Sequence, residues 1–242
     1  MRYVDEFRRQ DLARSLARAI ADEAGDGGDY RLMEFCGGHT HAIFRFALQD
    51  LMPPNVQFVH GPGCPVCVLP AGRVDSAMAL VREHDVILCI YGDLLRVPGS
   101  GRDSLMKVRA AGGDVRLVYS TQDALAVARD NPGREVVFFA IGFETTAPAT
   151  AVAVLEAQHA GLRNFSVYCN HVLTPPALAT LLESAPRDGA AIDGFLGPSH
   201  VSTIIGSRPY EFVAERFHKP LVIAGFEPLD IMQSVLMLRQ LN

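Results

Sequence analysis

The sequence holds no uninterrupted apolar run of the roughly 18 residues needed to cross a bilayer. Its opening stretch, Met1-Arg-Tyr-Val-Asp-Glu-Phe-Arg-Arg, carries charge where a secretory signal needs an apolar core. Both absences point to a cytoplasmic protein with no membrane partner. Basic residues are not in surplus either: 22 Lys and Arg stand against 27 Asp and Glu, a formal net charge of −5. Neutralising a phosphate backbone requires the opposite balance, so general nucleic-acid binding is excluded. Neither Gly-x-x-x-x-Gly-Lys-Ser/Thr nor Gly-x-Gly-x-x-Gly occurs, which removes two common nucleotide-phosphate loops. There is no internal repeat and no low-complexity segment. Cysteine is sparse and odd in number: Cys36, Cys64, Cys67, Cys89 and Cys169. That is no disulfide framework, and in a reducing compartment clustered thiols serve as ligands or redox groups.

What is present is an ordinary globular composition, 49% hydrophobic and 20% charged over 242 residues. Short β-branched or apolar runs alternate with amphipathic segments almost throughout. Strands are predicted at 31–35, 56–60, 86–91, 115–119, 135–141, 165–169, 193–196 and 221–224. Helices are predicted at 10–24, 42–51, 74–84, 121–130, 146–160, 176–183, 210–217 and 230–242. Near-continuous apolar strands separated by helices mean parallel sheets covered on both faces. The rhythm fits a single βα barrel or two smaller open α/β sheets facing each other across a cleft. The final helical run lacks a closing glycine or proline, so the chain is expected to continue beyond it.

The unusual residues follow strands, where parallel α/β proteins build their sites. Cys36-Gly-Gly-His-Thr-His follows the first, and the next helix is expected about five residues later, capped by Thr40. A thiol near a helix N-terminus is expected to have a lowered pKa, and thiolate is the form that binds soft metals. His39 and His41 are close enough in sequence to act as supporting donors or bases. Gly61-Pro-Gly-Cys64-Pro-Val-Cys67 follows the second strand, and its C-x-x-C pair can form a disulfide or chelate a metal. Gly142-Phe-Glu-Thr-Thr leaves an apolar strand and enters a helix, with Thr145 or Thr146 as its cap and Glu144 beside its positive end. Asp93 and Arg96 are a candidate ion pair. His171 and His200 follow strands and could enter the cleft, though each is more often a hydrogen-bonded structural histidine than a ligand. Cys89 and Cys169 read as buried strand residues.

Cys36-Gly-Gly-His-Thr-His-Ala-Ile and Gly61-Pro-Gly-Cys-Pro-Val-Cys-Val-Leu-Pro, in that order and spacing, resemble the signature loops of the hydrogenase maturation family HypD. Gly142-Phe-Glu-Thr-Thr and Ala224-Gly-Phe-Glu-Pro-Leu-Asp resemble two further segments of that family, and the likeness runs the length of the sequence. The resemblance implies two Rossmann-like parallel-sheet domains of similar fold facing a central cleft, here over 1–119 and 120–226. Residues 227–242 would then begin a helix leading to a C-terminal domain that holds a 4Fe-4S cluster. None of the five cysteines matches that cluster's ligands, so the sequence reads as the N-terminal portion of a longer chain.

The function implied is a scaffold that, with the partner HypC, assembles the Fe(CN)2CO unit of the [NiFe]-hydrogenase active site. HypE, with HypF upstream, would supply cyanide, and the unit would pass to the hydrogenase large subunit. By motif match Cys36 would ligate the iron, Cys64 and Cys67 would be the redox-active pair, and His39, Glu144 and Thr145 would line the site. Such a protein is a scaffold with redox activity rather than a conventional turnover enzyme. Two other readings of the thiols stand beside it: a general thiol–disulfide oxidoreductase using Cys64 and Cys67, and a structural zinc module built from Cys36, His39, Cys64 and Cys67.

Overall fold

The structure, a computed structural model, describes residues 4–25, 27–184 and 192–241. In chain order the elements are α1 (Gln10–Ala24), β1 (Tyr30–Glu34), α2 (Gly37–Arg45), β2 (Val56–His60), α3 (Ala71–Glu83), β3 (Ile87–Ile90), α4 (Leu105–Ala110) and β4 (Val115–Leu117). They continue as α5 (Thr121–Asp130), β5 (Val136–Gly142), α6 (Ala147–His159), β6 (Phe165–His171), α7 (Thr174–Ser184) and β7 (Gly194–Pro198). The last are α8 (Ser199–Ile205), α9 (Glu211–Phe217), β8 (Leu221–Ala224) and α10 (Pro228–Leu241).

The strands form two separate four-stranded sheets, ordered β2-β1-β7-β8 and β4-β3-β5-β6, with every pairing parallel. The single barrel is therefore ruled out and the reading of two open α/β sheets holds. The chain divides into two compact units: Met1–Cys64 with Thr174–Asn242, and Pro65–Leu173. The second unit is inserted in sequence between the second and third strands of the first. Counted within its own unit, each sheet runs second-first-third-fourth. The cut between residues 119 and 120 expected from sequence is thus replaced by two crossings, after Cys64 and after Leu173. Local pattern carries no information about which strands pair, so the insertion was not legible.

In both units, alternation along the strands sends neighbouring side chains to opposite faces. In the first, Leu32 and Leu196 join Ile20, Leu48, Ile231, Val235 and Leu238 on one side. Met33 and Phe195 join Phe35, Leu178, Tyr210 and Val213 on the other. In the second, Leu88, Ile90, Val137 and Phe139 pack with α3 and α4, while Ile87, Cys89, Val136 and Phe138 pack with α5. Phe138 and Phe139 are fully buried, each contributing about 2–3 kcal/mol of apolar transfer. A capping box between Ser120 and Asp123 starts α5 where the sequence placed it.

Ile231, Met232, Val235 and Leu238 of α10 complete the first unit's core against α1. Its Arg239 guanidinium lies over the Tyr30 ring, 3.5 Å from the centroid. Cys169 is exposed rather than buried, because β6 is an edge strand. Asp93 and Arg96 form no ion pair among the described residues; both are exposed in the 3-10 turn Gly92–Arg96. Among the described residues no helix is long and apolar enough to cross a membrane.

Burial pushes the Cys89 thiol up to about 11. An unfolded thiol ionises near 8.5, so above that pH the unfolded chain sheds a proton that the folded one keeps, and stability falls until the folded group also ionises. Urea titrations between pH 8 and 11 should show this thiol removing on the order of 2–3 kcal/mol, a loss that Cys89→Ala abolishes. Parallel stability curves for parent and variant would contradict it.

Candidate functional site

In the first sheet β1 connects onward to β2 on one side, while β7 lies on its other side and leads to β8. Loops leaving the C-terminal ends of β1 and β7 therefore part in opposite directions, the switch point at which open α/β sheets form crevices. Cys36 follows β1 and is itself the N-cap of α2, whose helical residues begin at Gly37. The helix thus starts at once rather than five residues on. Thr40 lies inside it and does not cap it: its hydroxyl donates to Glu34 and lies 3.4 Å from the Cys36 carbonyl.

Glu34, the last residue of β1, is fully buried. Its carboxyl accepts the Cys36 N–H at 2.9 Å and the Thr40 hydroxyl, and it meets His60 Nδ1 at 2.7 Å. The His60 ring in turn stacks on Phe44 with centroids 5.1 Å apart. The Glu34 backbone carbonyl accepts the Gly61 N–H at 2.7 Å. One residue therefore ties together both loops that carry the sequence motifs. The loops also touch directly, with Gly37 N–H donating to the Gly63 carbonyl at 3.1 Å. A Cβ on Gly63 would stand 2.7 Å from Gly37 N and 2.9 Å from the Cys36 carbonyl carbon. Those are backbone atoms that cannot step aside, so only glycine allows this approach. Cys64 comes next, and Cys64 and Cys67 are joined as a disulfide.

His39 is fully buried. Its Nε2 faces the carbonyls of Ala224 and Gly225 at 3.2 and 3.0 Å, which accept only, so Nε2 carries the proton. Nδ1 is then a bare lone pair, buried with no hydrogen-bond partner among the described residues. Burial holds this imidazole's pKa below the ordinary histidine value, so the ring is a neutral clamp between α2 and the loop after β8. Phe226 on that loop packs against His39 and His200, with centroids 4.8 and 5.4 Å away. A Cβ at Gly38 would enter the Phe226 ring at 2.7 Å. His200, in the first turn of α8, brings Nδ1 to 3.8 Å from Cys36 Sγ.

The expected lowering of the Cys36 pKa is overturned. Burial is the largest influence and pushes the thiol up; N–H groups of Gly38 and His39 aimed at the sulfur oppose it, and Glu34 adds to the rise. Desolvation outweighs the helix terminus because the sulfur is covered. Raised in this way, Cys36 favours the thiol over the thiolate, which makes it a weak nucleophile.

The first unit thus brings together Cys36, His39 and the loop leading into Cys64. His41 is exposed. Glu144 and Thr145 belong to the second unit, at the end of β5 and at that sheet's own switch point beside β3; Glu144 is buried and Thr145 exposed. The helix there begins after Thr146, whose hydroxyl donates to the Phe143 carbonyl at 2.9 Å instead of capping. Among the described residues no three His, Cys, Asp or Glu side chains gather closely enough to hold a metal ion. Sequence reasoning missed Glu34, His60 and Phe226, and favoured a structural role for His200. A lone carboxyl closing an apolar strand, just before Cys36, was the available signal for Glu34.

A sequence model of the family described as "HypD: Hydrogenase formation hypA family" matches residues 11–242. Hydrogenase maturation factor HypD2 of Bradyrhizobium diazoefficiens is 63% identical over 246 residues, covering 100% of this chain and 65% of that protein. Hydrogenase expression/formation protein HupD of Azotobacter chroococcum is 60% identical over 245 residues, covering 100% and 65%. Hydrogenase maturation factor HypD of Escherichia coli is 49% identical over 245 residues, covering 99% and 65%. The chain therefore spans about 65% of the length of these curated relatives.

Iodoacetamide labelling followed by mass spectrometry checks the electrostatics. At pH 7, Cys36 should react at least about tenfold more slowly than exposed Cys169, and its rate should still be climbing with pH where an ordinary thiol has levelled off. Equal rates at pH 7 would show that Cys36 is neither covered nor raised.

Proposed function

This chain belongs to the HypD hydrogenase-formation family, and on that premise we propose that it is a cytoplasmic scaffold for building the Fe(CN)2CO unit of [NiFe]-hydrogenase. Iron is the cargo, and Cys36 is the thiolate that receives it. The observation that carries this reading is the convergence of the Cys36 turn with the loop leading into the Cys64–Cys67 pair, held by Glu34 and Gly63.

The chemistry follows from the site. A covered, protonated thiol stays inert until a soft-binding metal displaces its proton, which protects the site from adventitious disulfide exchange. Thiolate suits iron that carries strong-field diatomic ligands. HypC closes the other side of the ion, HypE with HypF delivers cyanide, and the hydrogenase large subunit receives the product. Cys64 and Cys67 as a dithiol release two electrons and two protons when their disulfide forms, placing a redox couple beside the iron. His39 clamps the α2 N-terminus, and Glu144 and Thr145 stay candidate functional residues of the second unit.

A second reading, a general thiol–disulfide oxidoreductase, has the Cys64–Cys67 disulfide in its favour. It gives no role to the Glu34 and Gly63 constraints on Cys36.

The test is co-purification with HypC from cells making the full maturation set, followed by infrared spectroscopy. Cys36→Ala should remove the cyanide and carbonyl bands while the protein remains folded. Bands of parental intensity would take Cys36 out of this role. Insulin reduction at thioredoxin-like rates, unaffected by Cys36→Ala, would favour the second reading.

A further inference from the structure

We propose that His200 is a second donor from this chain to the iron, so that Cys36 Sγ and His200 Nδ1 bind the same ion at the β1/β7 switch point. The assignment rests on the reading of Cys36 as the receiving thiolate and adds the residue that completes this chain's share of the site.

Topology brings the two groups together. Cys36 lies two residues past the end of β1, and His200 two residues past the end of β7, its sheet neighbour. Each sits where its loop turns away from the other's, so both side chains address one crevice. Packing then fixes the ring. Phe226 packs against both His200 and His39, and Gly38 leaves it the room. Of the two rings packed on Phe226, it is His200 that the structure brings to Cys36 Sγ, while His39 is anchored through Nε2 to two carbonyls.

The distance decides between two roles. At 3.8 Å, Sγ and Nδ1 are close to the outer limit for a thiol hydrogen bond. An ion held at ordinary thiolate and imidazole bond lengths sets its two donor atoms about 3.5 Å apart at a tetrahedral angle, and about 3.1 Å at an octahedral one. The pair as it stands therefore lies within roughly 1 Å of metal-bridging geometry. Thiolate and imidazole are both suitable iron donors. When a divalent ion binds, the S–H bond breaks, an S–metal bond forms and one proton leaves to solvent, while Nδ1 offers its lone pair.

Two donors are also the right number for a carrier. Among the described residues no third His, Cys, Asp or Glu completes a closed set. The remaining coordination positions stay open for diatomic ligands and a partner's donor, and the finished unit is not locked in place.

The experiment uses Co(II) alone as probe, with the 242-residue chain under anaerobic conditions, the Cys64–Cys67 disulfide left oxidised, and a Cys169→Ser background. That background removes the other thiol–imidazole contact, Cys169 Sγ to His171 Nδ1 at 3.4 Å. One equivalent of Co(II) should give a sulfur-to-cobalt charge-transfer band that Cys36→Ser abolishes. His200→Gln, which keeps a hydrogen-bonding group but is a poor ligand, should retain that band, shift the d–d bands and bind at least about tenfold more weakly. X-ray absorption of the cobalt-loaded parent, which needs no variant, should show one sulfur and imidazole scattering. Parental affinity and spectrum in His200→Gln, or the absence of imidazole scattering, overturns the assignment while leaving Cys36 in place. A charge-transfer band that survives Cys36→Ser overturns the underlying reading instead.

Discussion

The carboxyl group of Glu34 is fully buried and has three polar groups to satisfy. It takes the Cys36 N–H, the Thr40 hydroxyl and the His60 ring nitrogen, while its own backbone carbonyl takes the Gly61 N–H. A buried polar group demands such partners, and removing one of them is expensive. Glu34 therefore acts as a rigid joint. It stops β1, starts α2 at the next possible residue and sets the height at which the Gly61–Cys64 loop leaves β2. The approach of Gly63 to Cys36, the covered thiol and the meeting of Cys36 with His200 all follow from that joint.

Much of the architecture was legible in sequence because it is written locally. The strands Val56–His60 and Leu221–Ala224 and the helices Gln10–Ala24 and Thr121–Asp130 fall where period and capping residues put them. Parallel sheets followed from fully apolar strands such as Val136–Gly142. What failed was non-local or electrostatic. Strand pairing places Cys169 at an edge and interleaves the two units, and no window of sequence records either fact. The thiol's direction of shift was misjudged because a helix N-terminus is visible in sequence whereas desolvation of the sulfur is not. A structural role was favoured for His200 because its partner lies 164 residues away.

The two units repeat one topology, and each places an unusual loop at its switch point: Cys36 after β1 in the first, Gly142-Phe-Glu-Thr-Thr after β5 in the second. The C-x-x-C pair occupies the chain's first crossing between them. Constraint is concentrated in the first unit. Gly38, Gly63, His39 and Phe226 each serve to hold the Cys36 turn, and burial keeps the thiol at its centre above its ordinary pKa. That combination makes a weak nucleophile.

Amide hydrogen exchange read by NMR on the unloaded protein tests the joint most directly. The Cys36, Gly37 and Gly61 amides should exchange as slowly as those inside β1, and all three should speed up together in Glu34→Ala while amides in the second unit keep their rates. Rapid exchange at Cys36 in the parent, or an unchanged Cys36 rate in Glu34→Ala, would contradict the claim that this buried carboxyl sets the site.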